Sequence, residues 1–191
     1  MSNAILTEHS ANRLVIRFKN VSERNPLSIG VLVELHAILD NSLENGPIRI
    51  VFTGTGDIFA SGANLREIAL ITGESAPEFA RRGQTLMDKI ARLDSTAAVN
   101  GICFGGAFDL ALACRRRIAS PNAQFSHPGG NLGIMTGWGG TQRLPRLVGE
   151  AKALEIFLTG KRVGAKEALR IGLIDAIADD PLEFALNLHE A

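Results

Sequence analysis

The segment 97–114 constrains the fold most strongly, because it changes from a strand pattern to a helix pattern within a few residues. Residues 97–104 are apolar except for Asn100 and predict a single buried strand. Gly105 and Gly106 then favour a sharp turn, and the apolar residues that follow at helical spacing predict a helix from Gly106. The first N–H groups of such a helix lack intrahelical partners, so this corner is suited to hold a negative charge.

Strand and helix patterns alternate along the rest of the chain, which predicts an α/β fold with mainly parallel strands. Further strands are predicted at 13–18, 48–53, 117–119, 124–127 and 173–177, and helices at 29–44, 76–93, 150–158, 165–171 and from 181 onward. Residues 45–47 are predicted to end the first of these helices, and the glycine-rich segment 128–140 to form no regular element. One domain over residues 1–191 is the simplest interpretation, while an open doubly wound sheet and a coiled stack of strand-strand-helix turns both remain possible.

Several predicted helices have recognisable capping residues. The predicted N-caps are Ser28, Ser75 and Asp180, and the predicted left-handed C-caps are Gly160 and Gly172. Glu78 follows Ser75 by three residues, so this pair predicts a capping box. These signals fix where the helices begin and end more firmly than the apolar pattern alone.

The charge balance argues against two classes of partner. Twenty basic and twenty acidic residues cancel, so we expect no binding to nucleic acid or to an anionic membrane surface. The basic run 115–117 is predicted to be a solvated turn.

The cysteines and histidines give further expectations. Cys103 and Cys114 are predicted to be small core residues of a reducing compartment, and we expect a cytoplasmic protein without a membrane span. No metal site is expected, because no His, Cys and Asp cluster has ligand spacing. His189 is expected at the surface.

Two segments share the pattern of an apolar strand, small residues and a helix, namely 59–64 and 104–109. Small residues let another molecule approach the backbone, so the N–H groups of Ala63 and Gly106 could converge on one carbonyl oxygen as an oxyanion hole. Close packing of strand on helix is the alternative explanation for each segment. Asp109 lies one turn into the second helix, where it either serves the chemistry or interacts only with the helix dipole.

Segments 59–65, 100–110 and 139–144 resemble the three signature regions of the enoyl-CoA hydratase/isomerase (crotonase) superfamily. Residues 25–28 and 158–174 match further motifs, so the resemblance covers nearly the whole chain in the family's order. It implies a crotonase-like (ClpP/crotonase) spiral of strand-strand-helix turns and an assembly of trimers, often paired into hexamers. It also implies an acyl-CoA thioester substrate, with coenzyme A as part of the substrate and no permanently bound cofactor.

The resemblance assigns roles to residues of this chain. Ala63 and Gly106 map onto the oxyanion donors, and Asp109 maps onto the first of two catalytic glutamates of family hydratases. Apart from the resemblance, His127 lies two residues before Gly129 and is either an unconventional acid or base or a buried, hydrogen-bonded histidine. The residues expected to contact the substrate are Ser61, Gly62, Leu65, Gly105, Gly129, Gly137 and Trp138.

The chain also departs from the family pattern. Asp109 is one methylene shorter than glutamate, and Gly129 stands where hydratases have their second glutamate and isomerases generally have their acid. The sequence further ends where the first of several covering helices begins, so we expect a shortened C-terminal helical part. A hydratase-like lyase is the first interpretation. A decarboxylase of a malonyl-type CoA thioester is the second, because a missing acid would leave room for a carboxylate, and isomerisation remains possible. A degenerate member that binds CoA or a partner is the third.

Overall fold

The structure is a computed structural model that describes residues 4–10, 12–44 and 48–188. Its strands are β1 (Ile5–Ser10), β2 (Arg13–Phe18), β3 (Pro26–Leu27), β4 (Arg49–Thr53), β5 (Ile58–Ala60), β6 (Gly62–Ala63), β7 (Ser95–Val99), β8 (Ile102–Phe104), β9 (Arg116–Ala119), β10 (Gln124–Ser126), β11 (Val163–Gly164) and β12 (Ala176–Ile177). Its helices are α1 (Ile29–Glu44), α2 (Leu65–Ile68), α3 (Ala76–Ala91), α4 (Gly106–Ala113), α5 (Gly140–Val148), α6 (Glu150–Thr159), α7 (Ala165–Arg170) and α8 (Pro181–Leu186). The predicted helix end at 45–47 and the predicted position of His189 lie outside the described residues.

The strands form two main sheets between which the chain passes repeatedly. One sheet has the order β1-β2-β4-β7-β9-β12, the second has the order β11-β10-β8-β5, and β3 pairs with β6. All pairings are parallel except β1 with β2 and β10 with β11. The chain therefore runs from β4 to β5, from β7 to β8 and from β9 to β10, crossing each time from the first sheet to the second. The α/β prediction is confirmed, and the coiled stack of strand-strand-helix turns, not the open doubly wound sheet, is the arrangement.

The prediction of one strand over 97–104 is wrong, because the segment breaks at Asn100 and Gly101 into β7 and β8. The side-chain oxygen of Asn100 accepts from the N–H of Gly54 at 2.9 Å, and its amide donates to the carbonyl of Gly56 at 2.8 Å. A methyl group added at Gly101 would lie 1.7 Å from the carbonyl oxygen of Asp57. The apolar pattern hides this break, since β7 and β8 are both largely covered.

Helix α4 lies in the centre of the molecule, and all eight of its residues are buried. A helix that is apolar on every side is expected in such a position. It belongs to one hydrophobic core whose largest fully buried side chains are Phe18, Phe52, Phe59, Phe108 and Phe125, and Phe108 is on α4 itself. The one carboxylate on this helix, Asp109, is therefore surrounded by protein rather than by solvent.

Most of the predicted caps are confirmed. The N–H of Val31 donates to the Ser28 hydroxyl at 3.3 Å, and Asp180 accepts from the N–H groups of Leu182 and Glu183 at 3.0 and 2.9 Å. The two predicted left-handed glycines have positive φ, 60° at Gly160 and 76° at Gly172.

The prediction of a capping box at the start of α3 is wrong, although the helix does begin at the predicted place. The Ser75 hydroxyl accepts from the N–H of Thr72 at 2.9 Å, so it caps the preceding turn instead. The Glu78 carboxylate pairs with Arg81 at 3.2 Å and Arg82 at 3.4 Å on the exposed face. Local side-chain partners outcompete the backbone here.

The prediction of a solvated turn at 115–117 is also wrong, because Arg117 lies buried in β9. Its guanidinium donates to the carbonyls of Cys114 at 2.6 Å and Leu173 at 2.9 Å, and it lies 3.4 Å from the Asp175 carboxylate. A buried charge is tolerated only when it is paired and hydrogen-bonded in this way.

Further differences concern individual elements. The structure adds β1, β11 and α5, none of which the apolar pattern predicted, and limits the predicted strand 173–177 to β12. The glycine-rich segment 128–140 contains a short 3₁₀ helix over Pro128–Leu132 and no other regular element before α5. Cys103 and Cys114 are free and buried, as predicted.

Candidate active site

The two strand-to-helix junctions are in direct backbone contact. Gly62 has a φ of +93°, and a methyl group added there would lie 2.6 Å from the carbonyl oxygen of Phe104 and 2.9 Å from the nitrogen of Gly106. Gly105 also has a positive φ, +54°, and forms the turn before α4. Glycine is required at position 62 by both conformation and space. The contact brings the neighbouring residue Ala63 to the same corner as the first turn of α4.

A largely apolar cavity of about 420 Å³ lies against this corner. It is lined by Ser61, Ala63, Leu65, Ile68, Ile71, Ala76, Phe79, Ala80, Gly105, Gly106, Asp109, His127, Pro128, Gly129, Gly130, Leu132, Ile134, Met135, Thr136, Gly137, Trp138 and Phe157. All the predicted site residues are therefore brought together in its wall, with one exception. Gly62 lies behind the wall, where it packs on the backbone of residues 105–106.

Asp109 is the single carboxylate among the described residues that line the cavity. Its Oδ2 accepts a hydrogen bond from the hydroxyl of Thr136. Its Oδ1 lies against Gly140, where an added methyl group would come within 2.1 Å of that oxygen. The carboxylate is fully buried, so glycine at 140 is what leaves it space.

Burial raises the pKa of Asp109 from 3.8 to about 7. The Thr136 hydroxyl, the positive charge of Arg143 and the backbone of Trp138 and Gly140 act in the opposite direction, but they do not cancel the loss of hydration. A carboxyl group with such a pKa can both take up and give back a proton near neutral pH.

His127 is held between two aromatic rings. Its ring centroid lies 4.7 Å from that of Phe108, in a stacked arrangement, and 5.1 Å from that of Phe157. This burial lowers the pKa of His127 from 6.5 to about 3, so the imidazole is neutral at physiological pH. Its Nε2 lies 3.5 Å from Oδ1 of Asp109. Both atoms are buried, and within the described residues neither has a hydrogen-bond partner.

Trp138 forms an aromatic wall next to the first turn of α4. The indole lies so close to Gly83 and Gly106 that a methyl group at either position would approach it to 2.1 or 2.2 Å. Its ring centroid is 5.6 Å from that of Phe79. Because Gly83 and Gly106 lack side chains, they leave the space that the indole occupies beside the first turn of α4.

Gly129 lines the cavity, but the room expected from the missing acid is partly filled. A methyl group at Gly129 would lie 2.5 Å from the carbonyl oxygen of Ile134, whose N–H donates to the carbonyl of Gly129 at 3.0 Å. The backbone of Ile134 thus occupies the space into which a side chain at position 129 would extend. The cavity nevertheless extends to Gly129, so room there for a substrate carboxylate stays a prediction.

Sequence reasoning missed two residues that shape the surroundings of Asp109, namely Thr136 and Gly140. Thr136 is the only hydroxyl-bearing residue in the glycine-rich segment 128–140. That isolated polar residue was the available signal, but a separation of 27 residues from Asp109 gave no reason to pair the two. Gly140 lies in the segment 139–144 that carries part of the family resemblance, but the resemblance gave it no role beside Asp109.

Two kinds of feature are absent from the described residues. No group of three or more His, Cys, Asp or Glu side chains there is arranged to hold a metal ion. No helix in that part of the chain combines the length and apolar character needed to cross a membrane.

The sequence matches the model of the enoyl-CoA hydratase/isomerase family over residues 8–185. A probable enoyl-CoA hydratase of Bacillus subtilis is 42% identical over 163 residues, covering 83% of this chain and 63% of the relative. The chain thus spans less than two thirds of the length of that relative.

Two solved structures are similar in fold to this chain. The enoyl-CoA hydratase of Bacillus anthracis superposes with a TM-score of 0.87 at 33% identity, over 96% of this chain and 72% of the other. DspI of Pseudomonas aeruginosa superposes with a TM-score of 0.91 at 34% identity, over 97% of this chain and 72% of the other. The crotonase-like fold is therefore confirmed.

Proposed function

Because this chain belongs to the enoyl-CoA hydratase/isomerase family, we propose that it binds an acyl-CoA thioester and adds water across the double bond of a 2-enoyl group. One observation carries the proposal. Asp109 is a buried carboxylate in the wall of an apolar cavity whose corner is formed by Ala63 and Gly106. A proton-transfer group and two backbone donors beside an apolar space are what enolate chemistry on a thioester requires.

The N–H groups of Ala63 and Gly106 are proposed to hold the thioester carbonyl oxygen. When water attacks the β carbon, the electrons of the double bond move onto this oxygen and form an enolate. Donors that are already in place stabilise that charge without reorganisation, and one such donor typically contributes about a hundredfold to a thousandfold in rate. The contact between Gly62 and the nitrogen of Gly106 supports this arrangement, because it keeps the two junctions together.

Asp109 is proposed to act alone as base and acid. Its carboxylate takes one proton from the attacking water as the new C–O bond forms, and it then returns that proton to the α carbon of the enolate. A pKa of about 7 suits both steps, since neither protonation state is strongly favoured at neutral pH. This route needs no second acid, in agreement with the absence of a side chain at Gly129.

The remaining lining residues are proposed to bind the substrate. The apolar wall, including Leu65 and Trp138, would contact the acyl group, while the small residues Ser61, Gly105 and Gly137 would allow the thioester to approach the backbone. Coenzyme A would be part of the substrate, and no permanent cofactor is proposed.

Assembly and location are also proposals. We propose a homotrimer or hexamer, which is supported by the exposed Leu154 and Leu158 on α6, since exposed leucines on one helix face commonly mark an interface. We propose a cytoplasmic location on the basis of the two buried free thiols, Cys103 and Cys114.

A second candidate function is decarboxylation of a malonyl-type CoA thioester. In that reaction the bond between the α carbon and the carboxylate breaks, CO₂ leaves, and the same two backbone donors hold the enolate. The observation that favours it is the presence of a single carboxylate among the described lining residues, since a second negative charge would repel such a substrate.

The variant Asp109→Asn tests the proposed role of the carboxylate. Asparagine keeps the shape and can still accept from Thr136, but it cannot carry a proton at neutral pH. Hydration of a 2-enoyl-CoA, followed by loss of the enoyl absorbance, is expected to slow about a hundredfold to ten-thousandfold in kcat. Equal kcat values in the variant and the parent would show that Asp109 has no part in the reaction.

A further inference from the structure

The hydration scheme gives the hydroxyl of Thr136 no part in bond making or breaking. This hydroxyl donates to Oδ2 of Asp109, and both residues line the cavity. Ser61 is the other hydroxyl-bearing residue in the described lining, and no hydrogen bond in the described structure joins it to Asp109. Thr136 is thus the hydroxyl that is already paired with a base.

The surroundings of this pair match those of an activated nucleophile. Such a group needs a base within hydrogen-bond reach, a further group beside the base, and donors for the oxyanion that forms. Asp109 is the base, and Nε2 of His127 lies 3.5 Å from its free Oδ1. The corner of Ala63 and Gly106 lines the same cavity.

We propose that this site also hydrolyses acyl-CoA thioesters, with the Thr136 hydroxyl as nucleophile and the Asp109 carboxylate as its general base. The inference rests on the same substrate class and oxyanion corner as the proposed function, but it concerns a different bond. Hydration changes the acyl chain, whereas hydrolysis cleaves the bond between the acyl carbon and sulfur.

The reaction balances without any additional reactant except water. Oγ1 of Thr136 transfers its proton to Asp109 and attacks the thioester carbon, and the resulting oxyanion is held by the backbone donors. The C–S bond then breaks, and the CoA thiolate leaves and takes the proton from Asp109. A water molecule gives its proton to Asp109 and attacks the acyl-threonine ester. The ester C–O bond breaks, Oγ1 recovers the proton, and a carboxylic acid is released.

The proton has a suitable place at each stage. Because burial raises the pKa of Asp109 to about 7, its carboxylate is a stronger base than an exposed aspartate. Because burial lowers the pKa of His127 to about 3, the neutral ring can accept a hydrogen bond from Asp109 while the carboxyl group is protonated. Both effects support an arrangement that the contacts already define.

A saturated acyl-CoA tests the inference, because it has no double bond to hydrate. Release of free CoA thiol is measured with a thiol-reactive dye for the parent, Thr136→Val, Thr136→Ser and Asp109→Asn. We expect thiol release by the parent, at least a hundredfold less by Thr136→Val and Asp109→Asn, and roughly tenfold or less reduction in Thr136→Ser. Equal release by the parent and Thr136→Val, or no release by the parent above buffer, would overturn the inference.

The covalent intermediate gives a second readout that does not depend on how well the valine variant folds. The parent and Thr136→Ser are mixed with the saturated acyl-CoA, quenched in acid, digested and analysed by mass spectrometry. The acyl group is expected on the side chain at position 136 in both proteins. Acylation at another residue, or at none, would contradict the inference. Circular dichroism of each variant reports whether it is folded.

Hydration of a 2-enoyl-CoA by the same parent preparation separates the two ideas. Hydration without thiol release would disprove the hydrolysis inference and leave the proposed function standing. Thiol release without hydration would disprove the proposed hydration and leave the hydrolysis inference standing.

Discussion

At the scale of single residues, the proposed chemistry depends on how one carboxylate is buried. Asp109 lies on a helix that is covered on all sides, and the cost of removing its charge from water dominates the shift of its pKa to about 7. The Thr136 hydroxyl and Arg143 keep that pKa from rising further. His127 adds no positive charge, because burial between two aromatic rings keeps it neutral.

Removal of the Thr136 hydroxyl is expected to move the pH dependence of hydration to higher pH. That hydroxyl lowers the pKa of Asp109, so Thr136→Val should raise the midpoint of kcat/KM against pH by roughly half a unit to one unit. For a general base the rate increases as the group ionises, so the parent should gain activity as pH rises through about 7. Thr136→Ser is the matched control and should keep the parent midpoint. A lower midpoint in the valine variant would contradict the assignment.

Asp109→Asn is expected to gain stability in a pH-dependent way. Because the folded pKa of about 7 exceeds the unfolded value of 3.8, the folded parent binds more protons between these values. Its free energy of unfolding therefore falls as pH rises through this window, by about 4 kcal/mol in total. Asparagine does not titrate, so urea unfolding should show a more stable variant at about pH 8 and nearly equal proteins at about pH 4. A stability difference that is the same at both pH values would count against a buried, titrating Asp109.

Among single residues, the sequence predicts some members of the candidate site and misses others. Local patterns and a family resemblance predict Ala63, Gly106 and Asp109 as a group, and these residues do line one cavity. The sequence does not predict Thr136, because a contact between a loop and a helix depends on the path of the backbone between them. No periodic pattern records that path.

At the scale of elements, the break between β7 and β8 sets up the site. It sends the chain from the six-stranded sheet into the four-stranded sheet, where β8 pairs with β5 and leads into α4. This pairing brings Gly62, just after β5, against the start of α4. The sequence pattern predicts a single strand because β7 and β8 are both apolar, whereas the contacts of Asn100 and Gly101 hold the break between them.

Gly101→Ala is expected to damage this crossing. The added methyl group would lie 1.7 Å from the carbonyl oxygen of Asp57, so the backbone must move, at an expected cost of roughly 2 kcal/mol or more. Gly73→Ala is the matched control, because a methyl group there meets nothing within 4 Å and should change stability by less than about 1 kcal/mol. Urea unfolding of both variants measures the difference. Similar midpoints would show that the contact between these segments is not tight.

At the scale of the whole molecule, the alternation of strands and helices was sufficient to predict an α/β fold but could not distinguish two ways of stacking the strands. The repeated passage between two sheets resolves that choice, and the similarity to solved structures at TM-scores of 0.87 and 0.91 agrees with it. Short strands of two or three residues, such as β6 and β11, are too brief to give a periodic signal. One of them, β6, nevertheless contributes Ala63 to the cavity wall.

The central claim is that the cavity uses one carboxylate and two backbone donors to add water to an enoyl thioester. Mass spectrometry of a panel that contains 2-enoyl-CoA and malonyl-type CoA thioesters of short, medium and long chain tests it most directly. The account predicts that at least one 2-enoyl-CoA gains the mass of one water molecule and that the malonyl-type thioesters keep their carboxylate. Loss of CO₂ from a malonyl-type thioester, with no water added to any enoyl-CoA, would contradict it.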